Sequence, residues 1–166
     1  NITGAGGTTT GGSDYGIDLG NNPTVYTTGS GNITFTATGG SGATGINFNN
    51  TQIGGASDTG NITFNADTIS LASMPIQTTG TVTFAPYTAS TTIGFSGGAG
   101  TLAVTQAIMN NVNAPTVIVG RPDSTGALTT GAFTWESTLT NLYLEGSTDT
   151  LSGNISKSAG GAATLY

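Results

Sequence analysis

Apolar and polar residues alternate in short bursts along this chain, and the bursts recur. In Ile33-Thr34-Phe35-Thr36-Ala37 every second position is apolar and threonine fills the gaps. Alternation of this kind predicts a half-buried strand, with Ile33, Phe35 and Ala37 on one face and Thr34, Thr36 and Thr38 on the other. The stretch returns as Gly60-Asn61-Ile62-Thr63-Phe64-Asn65-Ala66 and as Gly80-Thr81-Val82-Thr83-Phe84-Ala85-Pro86, and a shortened copy, Asn1-Ile2-Thr3-Gly4, opens the chain.

Two further elements keep step with it. Tyr15-Gly16-Ile17-Asp18-Leu19 lines up with Thr44-Gly45-Ile46-Asn47-Phe48, 29 residues later, the same offset that separates Gly31 from Gly60. Val25, Ile53 and Ile76 form a third apolar node. Each unit thus carries three short strands joined by Gly, Ser, Asn and Thr turns, where glycine supplies backbone conformations other residues resist. If each unit is one turn of a coil, Ile33, Ile62 and Val82 stack as a ladder, Phe35, Phe64 and Phe84 as a second, and Thr34, Thr63 and Thr83 as an outer wall. A single strand this short buries too little to stand alone; stacked units bury a continuous core.

After Gly80 the repeat loses its regularity, since Gly60 to Gly80 is only 20 residues. A fourth unit is expected from Val82/Phe84, Ile93/Phe95 and Leu102/Val104. Ile108 and Val112 are four residues apart, which predicts a short helical turn over 105–112, ended before Pro115. Thr116-Val117-Ile118-Val119-Gly120 reads as a strand and Arg121–Gly126 as a turn. Leu128 and Phe133 are expected inward, and Leu139, Leu142, Leu144 and Leu151 suggest a last unit. The expected fold class is all-β: one coiled domain over 1–166, a three-sided solenoid of about five to six rungs. Because the chain starts inside a repeat and shows no polar cap, it is expected to be part of a longer protein or a subunit stacked in a filament.

Composition narrows the function. Charged residues are 6% of the chain, the balance is Lys+Arg 2 against Asp+Glu 8, and net charge is −6. That argues against nucleic acid, which is held by Lys and Arg clusters, and against anionic membranes. With no Cys and no His, thiol catalysis, zinc fingers and histidine-based triads are excluded. No run of about 18 apolar residues exists, so no helical span is expected. The chain shows no signal peptide; an exported form would have lost it or carry it upstream. Low charge with abundant Thr, Asn and Gly is the composition associated with bacterial surface proteins.

Few residues offer chemistry. Gly11-Gly12-Ser13-Asp14-Tyr15-Gly16-Ile17-Asp18-Leu19 is similar to a calcium-binding nonapeptide, and Asp14 and Asp18 could share a hard cation. The motif occurs once, and Asn47 takes the place of Asp18 in the next unit, so a glycine turn with solvated acids is the better reading. A polysaccharide lyase needs a base, and only Arg121 and Lys157 are available; Arg121 is expected to pair with Asp123. A glycosidase needs two carboxylates about 5–10 Å apart, which Glu136 and Glu145 could supply. Trp135 and the tyrosines could form a sugar platform if exposed, although Trp135 is expected in the core. The outer Thr grid breaks at Asn65 and Ala85, which disfavours ice binding. Asn32, Asn61 and Asn154 fit the glycosylation pattern, which turn chemistry already explains. No catalytic, cofactor or metal residue is assigned, and no enzymatic activity is expected.

The blocks NITGAGGTTTGGSDYGIDLG, GNITFTATGGSGATGINF and GNITFNA, with the later TTIGFSGGAGTLAVTQAIMNNVNAPTVIVGRPDSTGALTTGAF, resemble the repeats of very large bacterial exoproteins of the filamentous-haemagglutinin and autotransporter-adhesin type. The resemblance covers most of 1–155. It implies a right-handed parallel β-helix, secreted or at the cell surface, serving as a stalk, fibre or adhesin segment. It implies partners that are flanking rungs of the same protein, end to end, or surface glycans and proteins of a host or neighbouring cell. Two alternatives stand beside it: a head-to-tail filament subunit, and a carbohydrate-binding or carbohydrate-cleaving β-helix.

Overall fold

A computed structural model describes residues 1–7, 14–40, 42–72, 75–136, 138–158 and 162–166. It is all-β apart from one four-residue helix, and every strand pair is parallel. The first three strands are β1 (Ile2–Ala5), β2 (Ile17–Leu19) and β3 (Thr24–Val25). The next are β4 (Ile33–Thr38), β5 (Ile46–Asn49) and β6 (Gln52–Gly54), then β7 (Ile62–Asn65), β8 (Ile69–Ala72) and β9 (Ile76–Gln77). There follow β10 (Thr81–Ala85), β11 (Ile93–Phe95), β12 (Leu102–Val104), helix α1 (Gln106–Met109) and β13 (Val112–Asn113). The rest are β14 (Thr116–Gly120), β15 (Leu128–Thr130), β16 (Phe133–Trp135), β17 (Asn141–Glu145), β18 (Asp149–Leu151), β19 (Ile155–Lys157) and β20 (Thr164–Leu165).

The long sheet runs β1-β4-β7-β10-β14-β17-β20. Between any two of its neighbours the chain visits other sheets, then returns beside the strand it left. The other sheets follow the same logic: β2-β5-β8, β3-β6-β9-β13, β12-β11-β15-β18 and β16-β19. Parallel neighbours require such crossovers.

The expected ladders are present. Ile33, Ile62 and Val82 are register partners, as are Phe35, Phe64 and Phe84 inside and Thr34, Thr63 and Thr83 outside. Ile17 pairs with Ile46, and Val25 with Ile53, which pairs in turn with Ile76. The phenylalanines form a continuous stack: Phe35–Phe64 at 5.5 Å and Phe64–Phe84 at 5.2 Å, their ring planes nearly parallel, with Phe48 edge-on to Phe35 at 4.9 Å. All four are fully buried. Among the described residues no helix is long and apolar enough to cross a membrane.

Three expectations are corrected. The opening copy is displaced by two residues: Ile2 pairs with Phe35, not Ile33, and Thr3 with Thr36. A two-residue slip keeps every side chain on its own face, so the pattern alone does not oppose it. The second correction concerns the fourth unit. Ile93–Phe95 and Leu102–Val104 are not successive sides; they pair with each other, Ile93 with Leu102 and Phe95 with Val104. The strand that follows them and joins β9 is β13, whose Val112 pairs with Ile76. Val112 therefore belongs to a strand, and the helical turn is confined to Gln106–Met109, capped by the Thr105 hydroxyl, which accepts the Ile108 N–H.

Six residues join the parallel pair β11 and β12, about half of what such a connection ordinarily takes. Glycine makes the short path passable. A Cβ on Gly98 would meet the Thr129 carbonyl oxygen at 1.8 Å, and one on Gly100 the Gly94 nitrogen at 2.1 Å. Ser96 and Gly97 turn the chain with positive φ, and the buried Ser96 hydroxyl donates to the Ala132 carbonyl at 2.5 Å.

Candidate functional site

The long sheet has seven strands, against at most four in any other sheet of the described residues. In β4, β10 and β17 buried residues alternate strictly with part-exposed ones. One outward column runs Thr34, Thr63, Thr83, Ile118, Tyr143. Tyr143 stacks on Tyr166 with ring centroids 4.3 Å apart and planes 5° from parallel. Asparagines at the entry to the sheet tie one turn to the next. Asn32 Oδ1 accepts the Asn61 N–H at 2.8 Å, and Asn61 Oδ1 accepts the Thr81 N–H at 3.0 Å. Turn bonding is thus a physical role for the Asn-Ile-Thr motif at Asn32 and Asn61. Of the eight acids, only Glu145 lies in a strand of this sheet.

The two calcium candidates are on and before β2. Asp18 points outward and its Oδ1 accepts the Asn47 Nδ2–H at 2.8 Å, so the Asp-to-Asn change between units is a hydrogen-bonded rung. The Asp14 carbonyl accepts the Gly40 N–H at 2.8 Å. The Gly11-Gly12-Ser13 part of the motif lies outside the described residues. Among the described residues no group of three or more His, Cys, Asp or Glu could hold a metal ion.

Arg121 is occupied by the structure. Its guanidinium takes both oxygens of Asp123, at 2.5 and 2.9 Å, and donates to the carbonyls of Pro86 and Tyr87 at 3.2 and 2.9 Å. The bond to Asp123 raises the arginine's pKa, and the same bond holds the Asp123 carboxyl below its ordinary range. Arg121 thereby fastens its own turn to the one beneath it. Asp67 fastens that lower turn again, accepting from the Thr88 N–H, the Thr88 hydroxyl and the Thr91 hydroxyl at 2.7, 2.6 and 2.8 Å. Lys157 Nζ reaches the Ala162 carbonyl at 3.4 Å.

The two glutamates occupy different settings. Glu136 follows β16 and borders a packing gap lined by Met109, Val112, Val117, Phe133 and Leu139. Glu145 ends β17, and its charged neighbour is Asp149. Burial pushes the Glu145 pKa up, with the Asp149 charge as the smaller cause. Asp149 is also pushed up by burial, opposed by the Gly146 N–H that it accepts at 3.0 Å. Trp135 is a core residue, 3% exposed, and its Nε1–H donates to the Leu139 carbonyl at 2.7 Å; it offers no sugar platform.

Two features have no counterpart in the sequence reading. One is a groove of about 250 Å³ where β12 runs beside β8, with Ile69, Leu71 and Ile108 at its base and Ser70, Ala103 and Thr105 at its rim. Among the described residues no ladder joins β8 to β12. The signal that could have found it is the short Gly-rich link between two strand patterns. The other is Asp58, buried in the turn before β7. Its Oδ2 accepts the Thr27 N–H at 3.3 Å, and its Oδ1 has no hydrogen-bond partner among the described residues. No protein-family model, curated protein or solved structure matches this chain.

Proposed function

We propose that the chain is a right-handed parallel β-helix with three-sided turns, and that it serves as a structural, non-catalytic segment of a bacterial surface or secreted protein: a stalk, fibre or adhesin passenger. The observation that carries this reading is the run of like-on-like ladders. The chain returns six times to a seven-stranded sheet and places Ile on Ile, Phe on Phe and Thr on Thr across its early turns. Right-handed crossovers are the overwhelming preference for parallel strands. Such a column transmits shape over distance and grows by addition of turns. Arg121, the candidate lyase base, is engaged with Asp123 and two backbone carbonyls. In this reading the partners are further turns of the same protein, stacked end to end, and surface glycans or proteins of a host or neighbouring cell.

Antibody labelling of intact source cells tests the location. Signal on unpermeabilised cells is expected; signal only after permeabilisation overturns it. A screen on plant and bacterial polysaccharides tests the non-catalytic role. No turnover is expected, and turnover abolished by Glu136→Gln would replace a structural role with an enzymatic one.

A further inference from the structure

We propose that the outer face of the long sheet is a self-association surface, on which two copies of this chain lie face to face with Thr83 near the centre of the contact. Three observations converge on it.

The first is charge. With net −6, copies repel at long range, yet seven of the eight acids lie off this sheet and the eighth, Glu145, sits at the end of the sixth strand. Side chains on β1, β4, β7, β10 and β14 are uncharged, so two such faces approach without opposing ions or buried lone charges over these strands.

The second is shape. Seven strands about 4.8 Å apart, two to six residues long and about four on average, at about 3.3 Å per residue, make a face of roughly 500 Å². A dimer would bury about 1,000 Å² in total, the lower limit for a specific interface, which predicts weak association dependent on concentration. Added turns would enlarge the face in proportion.

The third is repeat. Sheets that share one strand spacing stay in step along their whole length, so the outward column Thr34, Thr63, Thr83, Ile118 and Tyr143 of one copy meets that of the other strand for strand. A partner with any other period falls out of register. A two-fold axis through the middle strand, β10, sets Thr83 against Thr83 of the second copy, in an isologous contact. Ile118 and Tyr143, in the same column, add apolar area.

The chain has no cysteine, so a single introduced thiol reads the contact directly. Thr83→Cys on the face is compared with Ser70→Cys, an exposed outward position on β8 in another sheet. Under mild oxidation Thr83→Cys should form disulfide dimers at least tenfold faster. In sedimentation equilibrium the wild type should shift from monomer to dimer as concentration rises, and Thr83→Lys, with an unchanged melting midpoint, should stay monomeric throughout. Equal crosslinking rates, or a wild type that remains monomeric to millimolar concentration, would overturn the proposal. So would a monomeric wild type retained on a neutral polysaccharide matrix but released by Thr83→Lys, which assigns the face to a glycan.

Discussion

Phe64→Ala tests whether the stack is the spine of the molecule. Phe64 is fully buried and lies between Phe35 at 5.5 Å and Phe84 at 5.2 Å, with Phe48 edge-on at 6.3 Å. Truncating a buried Phe costs about 3–5 kcal/mol, and each aromatic contact adds about 0.5–1.5 kcal/mol beyond area. With three ring neighbours the loss belongs near the top of that range, about 4–5 kcal/mol. At about 2–4 °C per kcal/mol for a domain of this size, the melting midpoint should fall by roughly 8–20 °C. Thr63→Ala, one residue earlier and facing outward, is the control and should shift stability by less than about 0.5 kcal/mol. Urea denaturation followed by circular dichroism gives both values on one scale. A Phe64→Ala loss below about 1.5 kcal/mol, or one equal to that of Thr63→Ala, would refute the stacked core.

Gly98→Ala should cost more than about 1 kcal/mol in urea denaturation, because its methyl would collide with the Thr129 carbonyl oxygen; a neutral result would mean the β11–β12 link is looser than described. Glu145→Gln should raise the melting midpoint at pH 7 and leave it unchanged at pH 3. Folding raises the Glu145 pKa, so its contribution to stability is complete below the ordinary carboxylate range and is lost as pH rises through the folded value. A destabilised variant at pH 7 would reverse that sign. Arg121→Ala should speed cleavage by a non-specific protease between residues 86 and 92, since the Pro86 and Tyr87 carbonyls lose their clamp; an unchanged digestion pattern would make the clamp incidental.

Much of the long sheet was legible because its period-two pattern survives the change of spacing from 29 to 20 residues. Phe on Phe and Thr on Thr could be aligned before any coordinates. The slip at Ile2 was not legible, because a shift of two leaves the inward and outward sets intact and only packing chooses between them. The pairing of β11 with β12 was hidden for another reason. Alternation marks Ile93/Phe95 and Leu102/Val104 as strands but does not state which strand lies beside which. That is decided by the path of the link, and it is the close approach at Gly94, Gly98 and Gly100 that lets the chain double back. Of the site candidates, the Arg121–Asp123 pair and buried Trp135 followed from composition and neighbours. The Asp18–Asn47 rung did not, because a lone substitution in a repeat looks like decay until the two side chains are seen to touch.

The inserted strand also imposes an order of events. Elsewhere in the early turns each new strand finds its neighbour already in place, as β4 finds β1 and β7 finds β4. At β11 this fails. The strand that will separate it from β8 has not yet been made, since β12 comes later in the chain. Ile93–Phe95 gains its ladder partners only from Leu102–Val104 on one edge and β15 on the other, both later in the chain. For a chain folding from its amino end, β11 is therefore the first strand after the opening three whose ladder partners all come later in the sequence.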